Sequence, residues 1–323
     1  MIPALRYLTL TLFLLVHAPL SFAQTYPAKP LRIVVPYAPG GAVDILAREI
    51  GQKLTESWGQ QVIVDNRPGA SGMIGSELGS RAQADGYTLL MGTAGSHAMN
   101  PSMYPKIPYD SIRDFTPIIL VSSVTNILVI NAQVPAGSVK ELIALARAKP
   151  GELKYASLGN GTSQHLSAEL FRIMAGVDML HVPYKGVPQA LTDLVNGQVS
   201  LMFTGMAATL PFVKQGRLKA LAVTTGRRAG ALPELPTVAE AGLPGYESNN
   251  WVGMFAPAQT APAIVARLNA EVTKILSMRE MKERFLTQGD DFSANTPGEF
   301  AQYLKAEIAK WGQLVKQAGI RPD

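Results

Sequence analysis

Leu31-Arg32-Ile33-Val34-Val35-Pro36-Tyr37-Ala38-Pro39-Gly40-Gly41-Ala42-Val43-Asp44-Ile45-Leu46-Ala47 is the stretch from which the fold is read. The apolar run 31–35 has the length and branching of a buried strand. Val43, Leu46, Ala47, Ile50 and Leu54 then recur at helical spacing. Between them sits a short loop stiffened by two prolines and closed by two glycines. Strand, tight loop and helix in this order form half of a βαβ unit. Glycine at the start of the helix lets backbone N–H groups approach a ligand closely, with the helix N-terminus behind them.

The same alternation continues outward. Val62 to Val64 and Thr88 to Met91 read as strands, and Ser138-x-x-Glu141 as a capping box opening a helix with Val139, Leu142, Ile143 and Ala146. Tyr155-Ala156 ends a short strand, and Leu166, Leu170, Ile173 and Met174 mark the next helix. His181 to Tyr184, Ser200 to Phe203 and Leu218 to Thr224 read as strands. Val187 to Val195 supplies one helical stripe and Ile264 to Leu276 another. Thr296-Pro297-Gly298-Glu299 opens a last helix carrying Phe300, Leu304, Ile308, Trp311 and Val315. The implied class is α/β, in layers around mostly parallel sheets. With 323 residues, two domains are expected.

Composition narrows the function. No cysteine is present, which removes disulfides, zinc–thiolate sites, iron–sulfur clusters and thiol nucleophiles. The four histidines are scattered, so no metal cage and no cofactor are expected. The net charge is +5, but no basic run is interleaved with aromatics, which argues against nucleic acid. Arg6 precedes an apolar run, Tyr7 to Phe22, and Ser21-Phe22-Ala23 has the small-x-small form of a cleavage site. Residues 1–23 therefore read as a signal peptide, and the mature chain would be secreted.

Four junctions are candidates for holding an anion. The first contains Tyr37, Pro39, Gly40 and Gly41. The second, Ala156 to Thr162, offers the hydroxyls of Ser157 and Thr162 and the amides around Gly159 and Gly161. The third is Pro183-Tyr184-Lys185-Gly186, and the fourth is Gly92-Thr93-Ala94-Gly95-Ser96. Open α/β sheets bind ligands beyond the carboxyl ends of their strands. Several amide-rich loops with few charges point to a carboxylate held by N–H and hydroxyl groups. His165, in the first turn of its helix, either donates to a ligand or packs. Lys185 either pairs with an acid or is solvated. Asp44 and Arg67 read as structural, Asp44 by bonding loop amides at a helix start. Neither G-x-S-x-G nor H-E-x-x-H occurs, so catalysis is not expected. The rival from that class is a hydrolase using Ser157 with His165 or His181.

At these same loops the sequence resembles a family. Tyr26 to Asp44, Asn66-Arg67-Pro68-Gly69-Ala70, Ala84-Asp85-Gly86-Tyr87-Thr88-Leu89, Gly159-x-Gly161-Thr162-x-x-His165-Leu166, His181-Val182-Pro183-Tyr184-Lys185-Gly186, Leu235 to Gly242 and Trp251-x-Gly253 look like Bug-type periplasmic solute receptors of tripartite tricarboxylate transporters. The resemblance implies a type II periplasmic-binding-protein fold, with a ligand cleft between two lobes. Lobe one would comprise residues 24–125 plus 251–323, and lobe two residues 126–250. It implies delivery of a di- or tricarboxylate or aromatic acid to integral membrane permease subunits, from the periplasm of a Gram-negative bacterium, by a monomeric receptor. A sensory role, docking on a signalling receptor, is the alternative. It further implies that main-chain amides and waters near Tyr37 to Gly41 hold one carboxylate, with the loops at Ser157 and Tyr184 contributing from the other lobe. Many relatives carry an acidic residue after the position of Phe203. Here Thr204 and Gly205 follow, which favours an acid without an amine.

Overall fold

The structure, a computed structural model, describes residues 26–160 and 162–319. The signal peptide expected at residues 1–23, and Gly161, lie outside the described residues. Eleven strands are formed among the described residues. They are β1 Leu31–Val35, β2 Val62–Asn66, β3 Thr88–Thr93, β4 Phe115–Val124, β5 Asn126–Asn131, β6 Lys154–Ser157, β7 Leu180–Pro183, β8 Leu201–Gly205, β9 Leu218–Val223, β10 Asn250–Pro257 and β11 Asp290–Asp291. The helices are α1 Ala42–Trp58, α2 Met73–Ser80, α3 Asn100–Met103, α4 Val139–Ala148, α5 Ser163–Ala175, α6 Val187–Val195, α7 Met206–Lys214, α8 Pro262–Leu276, α9 Arg279–Gln288 and α10 Pro297–Ala318. No described helix is long and apolar enough to cross a membrane.

Two sheets define two lobes. One has the order β11-β4-β10-β3-β1-β2, the other β7-β6-β8-β5-β9. The parallel pairing expected from strand–helix alternation holds in β2-β1-β3 and in β7-β6-β8. Antiparallel strands complete each sheet, so both are mixed: β10 runs against β3 and β4, and β5 against β8 and β9. The mixing follows from the route of the chain. A single residue, Thr125, separates β4 in the first sheet from β5 in the second. The chain returns at Asn250, which sits opposite Val124 in the ladder. The two crossings therefore lie side by side, as a hinge needs.

Period-2 alternation decides which core each strand side chain enters. In β1, Leu31, Ile33 and Val35 join α1 and α8 through Leu46, Ile50, Leu268 and Val272, whereas Val34 faces the opposite core with Phe255 and Phe300. Both faces of the sheet are thus covered, which is why these strands read as continuous apolar runs. α10 packs close enough that a Cβ on Gly253 would lie 2.2 Å from the Phe300 ring. The capping box at Thr296 forms in full. At Ser138 only half of it forms, because the Glu141 carboxylate accepts from Gly137 instead.

Two buried polar groups are tied into this packing. Glu307 of α10 accepts the indole N–H of Trp251 at 3.0 Å and of Trp311 at 2.9 Å, while the Lys310 ammonium neutralises it. This locks the returning strand to the final helix. His97 lies in a π-helical turn, Gly95–Met99, after β3. It stacks on Phe255 at 4.5 Å and meets Phe115 and Tyr109. Burial lowers its pKa to about 3.

Replacing Glu307 by Ala strands two indole donors and is expected to destabilise by about 2–6 kcal/mol in urea unfolding, at 1–3 for each unmade bond. Glu307→Gln keeps an acceptor and should lose less. His97 gives a pH signature. Unfolded, it takes a proton near 6.5; folded, it refuses one until about 3. Its contribution is therefore fully present above pH 6.5 and lost as pH falls toward 3, by about 1.4 kcal/mol per unit. Urea unfolding at pH 7 and 4.5 should show an acid loss smaller in His97→Gln than in the wild type, by about 2.7 kcal/mol.

Candidate functional site

The junctions after β1 and after β6 face each other across the space between the lobes. That space is a cavity of about 470 Å3. From the first lobe, Tyr37, Gly41, Ala42 and Val43 line it, with Thr93 and Gly95 behind them. From the second come Asn160, Thr162, Ser163 and Gln164. Ser71, Asn100 and Asn250 add polar groups, and Met99, Met103 and Tyr104 form an apolar wall. No Asp, Glu, Lys, Arg or His stands among the described lining residues.

The helices supply the charge that the side chains lack. Ala42 and Val43 open α1, and Ser163 and Gln164 open α5. The N–H groups of a first helical turn have no intrahelical acceptor, and each helix N-terminus carries roughly half a positive charge. Two such termini, one from each lobe, therefore open into one cavity. An anion is the species this field favours.

The first loop is braced from behind. Buried Asp44 accepts the Gly40 N–H at 2.8 Å and the Asn66 amide at 2.9 Å, and Asn66 also donates to the Tyr37 carbonyl at 3.1 Å. Arg48 pairs with the same carboxylate at 3.0 Å. Burial opposes ionisation of Asp44, but hydrogen bonds from Arg48, Gly40 and Asn66 outweigh it and hold its carboxyl below the usual range. Gly40, at φ +82°, shapes the turn and spends its own amide on Asp44. Pro39 is exposed beside it. Arg67 stands off the cavity, paired with Asp65 at 3.0 Å.

The side wall is a hydroxyl network. Tyr37 Oη lies 2.6 Å from Thr93 Oγ1, which accepts the Ser96 N–H at 3.3 Å. Ser96 Oγ accepts the Thr93 N–H at 3.0 Å and lies 2.9 Å from His97 Nδ1. Ser96 is fully buried and holds Thr93 in place from below. Burial raises the Tyr37 pKa, so its hydroxyl stays neutral. Opposite, Gly69, Ala70, Ser71 and Gly72 have φ of +130°, +46°, +54° and +86°. Asn100 holds this left-handed run by donating to the Ser71 carbonyl at 3.0 Å, and Tyr104 Oη lies 3.0 Å from Ser71 Oγ.

In the second lobe the structure separates the expected residues. Thr162 lines the cavity and caps α5, accepting the His165 N–H at 3.4 Å and donating to the Gly159 carbonyl at 2.8 Å. Ser157 has 0% exposure. Its Oγ lies 2.6 Å from His181 Nε2 and accepts the Gly159 N–H at 3.1 Å, so it braces the loop from inside. This pairing is the one a serine nucleophile would need, but no ester carbonyl can reach a fully buried Oγ. His165 stacks on His181 at 4.2 Å and His181 on Tyr155 at 4.9 Å, behind the cavity wall. Tyr184 Oη donates to Asp193 at 2.9 Å. Lys185 is exposed and Thr204 buried in β8 opposite Ile127; neither lines the cavity. Ser71, Asn100, Tyr104, Ser163, Gln164 and Asn250 do line it and were not singled out by sequence. The doublet Asn249-Asn250 ahead of Trp251 was the available signal for one of them. Among the described residues, no three His, Asp or Glu side chains are grouped to hold a metal ion.

Comparison with known proteins agrees with this arrangement. The family described as tripartite tricarboxylate transporter family receptor matches residues 46–320. Protein BugT of Bordetella pertussis is 36% identical over 307 residues, covering 95% of this chain and 94% of that protein. Rpa4515 of Rhodopseudomonas palustris, solved with adipate, is 40% identical with a TM-score of 0.75, covering 92% of this chain and 100% of that one. MatC (Rpa3494) of the same species, with bound malate, is 32% identical with a TM-score of 0.71, covering 90% and 100%. Two α/β lobes, a cleft between them and similarity along the whole described chain lead to one conclusion: this chain belongs to the receptor family of tripartite tricarboxylate transporters.

Proposed function

We propose that this chain is a periplasmic receptor whose lobes close on a small carboxylate lacking an amine and deliver it to the membrane subunits of a tripartite transporter. The observation that carries this reading is the pair of helix N-termini facing each other across a cavity without a charged side chain. The Gly41-Ala42-Val43 amides would take one carboxylate, with Tyr37 and Thr93 beside them. Thr162, Ser163 and Asn160 would approach from the other lobe, and a second carboxylate would meet the α5 N-terminus. An ammonium group would find no acidic partner on this lining. Adipate and malate, the acids in two similar structures, both lack an amine. Closure would exclude water and strengthen every N–H contact with the anion. No bond of the ligand is broken, and the receptor binds and releases it unchanged.

Melting of the mature chain against a panel of mono-, di- and tricarboxylates tests this. A ligand at 100 times its dissociation constant stabilises by about 2.7 kcal/mol, a rise of several degrees at roughly 2–4 °C per kcal/mol. Dicarboxylates at micromolar concentration should raise the midpoint, and glutamate at the same concentration should not. A response to amino acids alone would overturn the amine-free reading. Thr162→Trp should abolish the response, and because it also removes the α5 cap it should lower the midpoint of the free protein by a few degrees. Asp44→Ala frees the Gly40 amide and unties Asn66. It should weaken carboxylate binding about tenfold, or about 1.4 kcal/mol, by calorimetric titration.

A further inference from the structure

The polar side chains on the cleft lining are, with one exception, already engaged. Tyr37 bonds Thr93 at 2.6 Å, Ser71 bonds Tyr104 at 3.0 Å, and Ser163 donates to Gln164 Oε1 at 3.2 Å. The other lining hydroxyl and amide groups have partners of their own, apart from Asn250. Among the described residues, half-buried Asn250 is the one polar side chain on this lining that makes no hydrogen bond.

Its place in the chain decides what it can meet. Asn250 opens β10 and pairs in the ladder with Val124, the residue before the Thr125 crossing. It therefore stands at the hinge, on the floor between the lobes. Successive side chains of an extended segment point to opposite faces. Asn249 turns to a separate cavity behind the hinge, where its Nδ2 donates to Glu247 Oε1 at 2.7 Å, and Asn250 turns into the cleft. Displacement is smallest at the axis of a hinge, so the floor stays in place while the walls approach. The α1 and α5 N-termini lie on the walls to either side. A ligand whose two carboxylates reach both termini lays its middle over the Asn250 carboxamide.

On the carboxylate reading of the cleft given above, we infer that Asn250 is the specificity-determining residue for the middle of the ligand and selects a hydroxyl group there, so that the substrate class is a hydroxy-dicarboxylate. A carboxamide offers N–H donors and a carbonyl acceptor, and a hydroxyl is the small group that both donates and accepts. An oxo group or a third carboxylate only accepts and leaves Oδ1 unmet. An ammonium only donates and leaves the Nδ2 hydrogens unmet. An unsubstituted chain fares worst. Closure strips water from the carboxamide and puts no polar group in its place, a penalty that falls on the wrong ligand alone.

Calorimetric titration of the mature chain with matched pairs of acids tests this: succinate and malate, glutarate and 2-hydroxyglutarate, adipate and 2-hydroxyadipate, each hydroxy acid as both enantiomers. In the pair whose length fits the cleft, one enantiomer should bind about tenfold tighter than the unsubstituted acid. Asn250→Leu should abolish that preference, so that both members of the pair bind alike. Asn250→Asp is nearly isosteric and keeps the question open should the leucine variant fail to fold. Its carboxylate accepts from an ammonium group, so the affinity of aspartate relative to malate, or of glutamate relative to 2-hydroxyglutarate, should rise about tenfold. Equal affinity within every pair, a preference that survives Asn250→Leu, or an unchanged amino-to-hydroxy ratio in Asn250→Asp overturns the assignment of Asn250 and leaves the carboxylate receptor standing. Binding of aromatic acids and of none of these pairs does the same. Silence toward every carboxylate would overturn both.

Discussion

A cleft without a charged side chain can hold an anion only if its backbone dipoles already point the right way. Main-chain N–H groups cannot swing in like a lysine. Their direction is set when the loop folds, and any slack is lost affinity. The rest of the site serves that constraint. Asp44 is buried at a cost because it fixes Gly40 and, through Asn66, the Tyr37 carbonyl. Ser157, His181 and Thr162 do the corresponding work in the second lobe. The burial of Asp44 and Ser157 is a sign of that role, since a brace must lie behind the surface it supports.

The hinge obeys a related rule. Two lobes can be rigid and still move if the parts joining them are few and well anchored. Thr125 alone connects β4 to β5, and Trp251 anchors the start of β10 through Glu307 and α10. A closing motion of the lobes would therefore be confined to a few residues around the crossings, as in hinge closure generally. The same compactness brings opposite faces of one segment into contact with two different cavities, which is how Asn249 and Asn250 come to have separate surroundings.

Sequence made the ligand loops legible because glycine and proline punctuate them. Tyr37 to Gly41 and Ser157 to Thr162 were found at the starts of α1 and α5, where the structure has them. The sequence did not disclose β4, β5 and β10 as strands. Phe115–Val124 and Asn126–Asn131 are nearly continuous apolar runs, and a strand buried on both faces lacks the alternation that would distinguish it. Site membership was harder still. Hydroxyl and imidazole groups within a loop motif look alike in sequence, but Ser157 and His165 turn inward while Thr162 turns outward. Ser71, Asn100 and Asn250 reach the cleft from separate elements, and their convergence is a property of the packing rather than of any local pattern.

The left-handed run from Gly69 to Gly72 also restricts how this receptor could diversify. Two non-glycine residues, Ala70 and Ser71, occupy a region that most side chains avoid at a cost of about 1–2 kcal/mol each. β-Branched or bulky residues are barred there by their own backbones. The wall formed by Ser71 is therefore nearly fixed in size across any line of descent that keeps this turn. Met99 closes the π-helical turn at φ −88°, Met103 ends α3 and Tyr104 follows it at φ −100°, so none of the three carries such a restriction. Adaptation to longer or bulkier acids has an open path through those three positions, and the polar end of the cleft can remain unaltered while the menu of ligands changes.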